Sequence, residues 1–183
     1  MLKFITGNKG KVKEMEAILA PLKFSPVNID LDEIQDLDPY KIIRHKLSEA
    51  FNYHHAEFFI EDTSVYYKAF KNRLPGPFMK WFLQTLEPKG LYELARKMGR
   101  TGATMQTIIA YAKSPKQVYF FEASTNGSIV KPKGGYGFGV DVIFKPAGSA
   151  KTLAELKSSG SSIHSARYKA AMKLKKFLND AKK

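Results

Sequence analysis

The stretch "FITGNKGKVKEMEAIL" at residues 4–19 opens as a strand and continues as a helix. Val12, Met15, Ile18 and Leu19 recur at helical spacing until Pro21 stops the run, and Thr6-Gly7-Asn8 forms the joint. A strand turning through glycine into a helix leaves the first backbone N–H groups of that helix without acceptors. Together with the helix dipole, those groups make a seat for an anion. Lys9, Lys11 and Lys13 add positive charge. The joint is not a Walker A loop, because Gly10-Lys11 lacks both the following Ser or Thr and the earlier glycine. Taken alone, the same residues read equally as an ordinary strand-to-helix turn with solvated lysines.

Working outward, "DPYKIIRHKLSEAFNYH" (38–54) places Asp38 as an N-cap, Pro39 at the first helical position, and Ile42, Ile43, Leu47 and Ala50 on one side. "EFFIEDTSVYY" (57–67) reads as a buried strand running into a polar edge at Glu61-Asp62-Thr63. "LPGPFMKWFLQTL" (74–86) is a Pro-Gly turn opening a short helix, and "GLYELARKM" (90–98) is a further helix. The period then changes: "ATMQTIIAYAK" (103–113) and "QVYFFEASTNGSIV" (117–130), joined through Ser114-Pro115, predict a hairpin of two long strands. "GGYGFGVDVIFKPAG" (134–148) is a glycine-rich loop leading into a strand, and "TLAEL" (152–156) is one or two helical turns. From about Ile163, Ala170, Leu174 and Phe177 share a stripe among lysines and predict a closing amphipathic helix. No repeat or linker interrupts the chain, and "KSSGSS" (157–162) reads as a mobile loop.

The chain has 183 residues, enough for one buried core or for two lobes sharing one, and we read residues 1–183 as a single domain. With 44% hydrophobic residues, thirteen phenylalanines and nine tyrosines, it is globular rather than disordered. Cysteine is absent, which excludes disulfides, thiolate metal sites and a cysteine nucleophile. No apolar run suits a signal peptide or a membrane span, so a soluble, cytoplasmic protein with no membrane partner is expected. The formal charge of +13 favours anionic partners without choosing between polymers and nucleotides.

Two further constellations carry chemistry. Glu61 and Asp62 form a carboxylate pair at the end of a buried strand, a costly arrangement unless a cation sits there. Mg²⁺ suits such a place, since it takes a few carboxylate oxygens plus substrate phosphates. Asp30, Asp32, Glu33, Asp36 and Asp38 offer further ligands, or simply a solvated acidic loop. In "GGYGFGVD" (134–141), glycines let backbone approach a flat ligand while Tyr136 or Phe138 stacks on it. No GxGxxG register fits, and a plain glycine-rich lead into a strand is the equal alternative. His45, His54, His55 and His164 show no metal-ligand spacing and read as surface or packing residues.

Together and in order, "TGNKGK" (6–11), "EDTS" (61–64), "LPGPFMKWFL" (74–83), "GSIVKPKGGYGFGVDVIFKP" (127–146) and "TLAEL" (152–156) resemble the inosine triphosphate pyrophosphatase family nearly end to end. The resemblance implies an α/β fold: an elongated, mixed, twisted β-sheet flanked by helices, in two lobes with the site in the cleft between them. It implies a homodimer that uses Mg²⁺ to hydrolyse ITP, dITP and XTP to monophosphate and pyrophosphate. It also implies that Thr6, Asn8 and Lys11 hold the triphosphate, with Gly7, Lys9 and Gly10 in the same motif. Glu33 and Asp62 would bind Mg²⁺, Asp62 would also take the proton of the attacking water, and Thr63 and Lys80 would contact the substrate. Phe138, Gly139 and Asp141 would form the base pocket, with Val140 where many relatives carry an aromatic. The family's Ser-His-Arg becomes Ser165-Ala166-Arg167 here, and a family lysine falls on Ser161. Arg167 and backbone N–H groups near Phe138 and Asp141 are then expected to read the 6-oxo group of the purine, with His164 as the alternative reader. A Maf-type pyrophosphatase and a basic nucleic-acid-binding module are the rival readings. The second leaves Asp62 and the glycine-rich joint unexplained, so no nucleic-acid polymer is expected as partner.

Overall fold

The structure, a computed structural model, describes residues 1–135 and 137–181. Seven strands form one open sheet in the order β2-β1-β3-β5-β6-β7, with β4 paired to β3. They are β1 (Lys3–Ile5), β2 (Ser25–Val27), β3 (Phe58–Tyr67), β4 (Pro75–Gly76), β5 (Gly102–Ser114), β6 (Gln117–Ile129) and β7 (Phe144–Pro146). The helices are α1 (Lys9–Leu19), α2 (Pro39–Tyr53), α3 (Met79–Lys97), α4 (Leu153–Ser158) and α5 (Ala166–Asp180). The expected mixed α/β architecture is therefore present. The long hairpin is too: β5 and β6 are neighbours joined across Pro115 and Lys116, a connection that only antiparallel strands allow. Contacts divide the chain into two compact units, each assembled from discontinuous segments.

The first unit comprises Met1–Asp62, Thr107–Ala123 and the segment from Arg167 onward. Here β1 lies parallel to both β2 and β3, with Lys3 opposite Ser25 and Phe58. Strand alternation sends neighbouring residues to opposite faces. Phe4 and Phe59, stacked 4.5 Å apart, pack with Met15, Ile18 and Leu19 of α1 and with Ala170, Ala171 and Leu174 of α5. Ile5, Phe58 and Ile60 pack on the other face with Ile43, Leu47 and Ala50 of α2. Phe59 is wholly buried, and its removal to alanine would cost about 3–5 kcal/mol. Asp38 caps α2 by accepting the Tyr40 N–H at 2.9 Å, with Pro39 behind it as expected. The sequence does not announce β2, whose Pro26 lacks an N–H; it is tolerated because β2 is the sheet's edge.

The second unit comprises Thr63–Gln106 and Ser124–Ala166. One core fills it: Val65, Tyr67, Met79, Leu91, Met105, Ile129, Ile143, Phe144 and Leu153. The two helices expected between residues 74 and 98 are both present within α3, separated where Glu87 leaves helical geometry (φ 53°, ψ 171°) just ahead of Pro88. β6 and β7 are antiparallel, with Gly127 opposite Pro146. A Cβ at Gly127 would lie 2.4 Å from the Lys145 carbonyl and 2.8 Å from the Phe144 ring, so only glycine permits this approach. α4 begins with a capping box: Thr152 Oγ1 accepts the Glu155 N–H at 3.3 Å, and Glu155 Oε2 accepts the Thr152 N–H at 2.8 Å.

Candidate active site

In the first unit the joint at residues 6–8 is built from its own side chains. Thr6 Oγ1 accepts the Asn8 N–H at 3.1 Å, and Asn8 Oδ1 accepts those of Gly10 and Lys11 at 2.9 and 3.1 Å. Asn8 is thus the N-cap of α1 and occupies two of the N–H groups that the sequence offers to an anion. Gly7 is exposed; a Cβ there would make only ordinary contact with Asp30, 3.6 Å away, so packing does not demand glycine at this point. Lys9 is exposed at the head of the helix.

The carboxylates that the sequence pairs are separated by the strand. Glu61 continues the face of Phe59 and Asp62 that of Ile60, so the two meet different helices. Glu61, fully buried in its side chain, pairs with Lys11 of α1 at 2.8 Å and with Arg167 of α5 at 3.3 Å. Arg167 also donates to Glu14 of α1. Asp62 and Glu33 instead converge on Lys46 of α2, at 3.3 and 2.8 Å. The pairing of Glu61 with Asp62 is therefore corrected: a cation does sit at each carboxylate, but on opposite faces. Burial works against the charge on Lys46, yet Asp62 and Glu33 outweigh it, and the ammonium is held well above the ordinary lysine range. Of the other acidic residues, Asp38 caps α2, and Asp36 accepts the Asp38 N–H at 2.8 Å and pairs with Lys41 at 3.1 Å. The first of these bonds is the main reason that the Asp36 carboxyl is held below its ordinary range.

Lys46 and Glu14 escape the sequence reading. The signal for Lys46 is present, because a lysine stands inside the apolar stripe Ile42, Ile43, Leu47, Ala50 and is itself buried. Nothing local marks Glu14.

In the second unit, Thr63 is half-buried on β3, and Lys80 is exposed on α3 with its ammonium 6.0 Å from the Trp81 ring centre. Phe138 leads a 3-10 turn over Gly139–Val142. Asp141 is 4% exposed; its Oδ2 accepts the Phe138 N–H at 3.1 Å and the Lys157 ammonium at 2.8 Å. That N–H, expected to face a purine oxygen, is thus given to Asp141, as the Arg167 guanidinium is given to Glu14 and Glu61. Gly139 has φ 63°, a conformation that favours glycine. Val140 and Ala166 are core residues, and Ser161 is half-buried, its N–H bonded to the Leu156 carbonyl at 2.9 Å. The His164 carbonyl accepts from Thr125 Oγ1 at 2.9 Å. Tyr136 lies outside the described residues.

Sheet order, capped joint and buried charge clusters define an α/β protein whose strand ends gather lysines and carboxylates. The model of the Ham1 family matches residues 2–177, and the chain belongs to that family. A protein of Schizosaccharomyces pombe named inosine triphosphate pyrophosphatase is 36% identical over 181 residues, 98% of this chain and 95% of the relative. One of the same name from Candida glabrata is 36% identical over 186 residues, 96% and 95% of the two chains. The solved Ham1 protein of Staphylococcus aureus superposes with a TM-score of 0.78 at 20% identity, over 98% of this chain and 99% of that one.

Proposed function

We propose that the chain hydrolyses non-standard purine nucleoside triphosphates (ITP, dITP, XTP) to the monophosphate and pyrophosphate, removing them from the nucleotide pool. The observation that carries this reading is the convergence of Glu33 and Asp62 on one cation, the Lys46 ammonium, in a chain that belongs to the Ham1 family. The names of the relatives at 36% identity support the substrate class. The comparisons give no support to the Maf-type or nucleic-acid-binding alternatives.

The geometry suits the chemistry. Water attacks the α-phosphorus, its proton passes to Asp62, and the bond to the bridging oxygen breaks as pyrophosphate leaves. Thr6, Asn8 and Lys11, with Lys80, are in this reading the groups that hold the chain of phosphates. Lys46 is permanently charged near neutral pH and adds to that field. Glu33 and Asp62 fit a divalent cation, Mg²⁺ in our reading: two carboxylates already meet at one positive charge. Such an ion would complete its shell with substrate phosphates and water. Such an ion supplies charge neutralisation to the leaving group.

The test is a panel of nucleoside triphosphates with product identification, with and without Mg²⁺. ITP should give inosine monophosphate and pyrophosphate only with the metal. Diphosphate plus orthophosphate would refute the cleavage position, and an inert ITP the substrate class.

A cytoplasmic homodimer belongs to the same proposal. Met105 and Ile108 to Ala112 of β5 are buried within this chain, whereas Trp81 on α3 is 53% exposed and is our candidate for the interface. Light scattering should give twice 20.6 kDa, and Trp81→Ala should lower that mass towards the single chain.

A further inference from the structure

Within the second unit, a lysine that no motif points to sits at the centre of the segment read as the base-recognition loop. Lys157 is the fifth residue of α4, and its side chain is 3% exposed. Its ammonium lies 2.8 Å from Asp141 Oδ2 and 5.5 Å from the centre of the Phe138 ring. The same Oδ2 accepts the Phe138 N–H, so one carboxylate oxygen joins the first residue of the loop to α4. The loop closes tightly around that oxygen: at Gly137, with φ 93°, a Cβ would lie 2.6 Å from it. The helix that presents Lys157 is fixed at its start, where Thr152 caps it and also donates to the Lys133 carbonyl at 3.1 Å.

We propose that Lys157 is the positioning residue of the base loop, holding the Asp141 carboxylate in place so that Phe138 is set to stack a purine. Physically, a carboxylate this deeply buried keeps its charge only beside a cation. Without Lys157 the carboxylate turns outward, and the Phe138 backbone loses its acceptor. The ring at the same time loses the cation on its face, a contact that steadies its orientation. The inference rests on residues 138–141 being the base-recognising segment, as under the proposed function.

The experiment compares wild type, Lys157→Met, Asp141→Asn and the double variant. The readouts are calorimetric binding of inosine monophosphate, which has no anhydride to cleave, and KM and kcat on ITP. Lys157→Met should weaken monophosphate binding and raise KM about tenfold or more, with the smaller effect on kcat, and the double variant should be no worse than the worse single one. Effects that multiply, or monophosphate binding within twofold of wild type, would overturn the proposal. If Lys157→Met does not fold, the double variant, which leaves no unpaired buried charge, is decisive: it should bind the monophosphate at least fivefold more weakly, and wild-type binding overturns the inference. Wild-type protein that binds the monophosphate but does not turn over ITP would strike the proposed activity alone; wild-type protein that binds no monophosphate would sink both.

Discussion

The two units manage buried charge differently. In the first, charges are shared: Glu61 serves Lys11 and Arg167, Arg167 also serves Glu14, and Lys46 serves Glu33 and Asp62. In the second, Lys157 and Asp141 form a buried ion pair, and the same Asp141 oxygen accepts the Phe138 N–H. Sharing in the first unit can lend Lys11 to an arriving phosphate while Glu61 keeps Arg167. A buried pair that also fixes a backbone N–H is suited to holding a surface still. Chemistry is accordingly expected in the first unit and shape recognition in the second.

The largest expected effect falls on Asp62. Asp62→Asn keeps the shape but removes charge and basicity, and should lower kcat by about 10³-fold with the fold intact, within the range for loss of a general base. A folded variant within tenfold of wild type would end its assignment.

Next comes the network itself. Arg167→Ala leaves Glu14 and Glu61 short of a cation and should destabilise the protein by about 3 kcal/mol, measured by denaturant unfolding, since breaking a buried pair costs more than an exposed one. Unchanged stability would show that the remaining Lys11 suffices, and the contrast between shared and single charges would fail.

A smaller effect is expected at the base loop. Phe138→Ala removes the stacking ring and should raise KM for ITP about tenfold, the lower part of the ~1–3 kcal/mol range for base-aromatic stacking. An effect on kcat alone would move Phe138 out of recognition.

The smallest effects lie at the ends of the pH scale, and on opposite sides. The Lys46 pKa is raised above its ordinary 10.5, because Asp62 and Glu33 outweigh burial. Its contribution is therefore complete below 10.5 and fades as pH rises through the folded value. Glu155 is lowered from 4.5, chiefly by the Thr152 N–H, so its contribution is complete above 4.5 and fades as pH falls through the folded value. Glu155→Gln should flatten the acid limb of unfolding followed by the fluorescence of Trp81, the chain's one tryptophan and a member of the second unit, and leave the alkaline limb unchanged. An altered alkaline limb would contradict the assignment.

Much of this was legible in the chain. Periodicity located α1, α2 and α5, because each buries one stripe against a sheet, and the β-branched run located the β5–β6 hairpin. The cap at Asp38 and the stop at Pro21 are local chemistry, readable without a fold. Short β2 and β4 were not legible, since two or three residues carry no period and Pro26 argues against a strand until its place at the edge is known. Among functional residues, Asp62 and the 6–11 joint stood out by type and neighbourhood. Which cation each carboxylate meets did not. Glu61 and Asp62 are adjacent in sequence, yet the pleat of β3 turns one towards α1 and α5 and the other towards α2. Glu14 and Arg167 stand 153 positions apart and meet only because α1 and α5 cover the same face. Residue types and spacing thus determined the elements and the chemical vocabulary of this protein. The pairing of charges was decided by tertiary structure alone, because a strand's two faces and the helices laid on them set distances that no local pattern records.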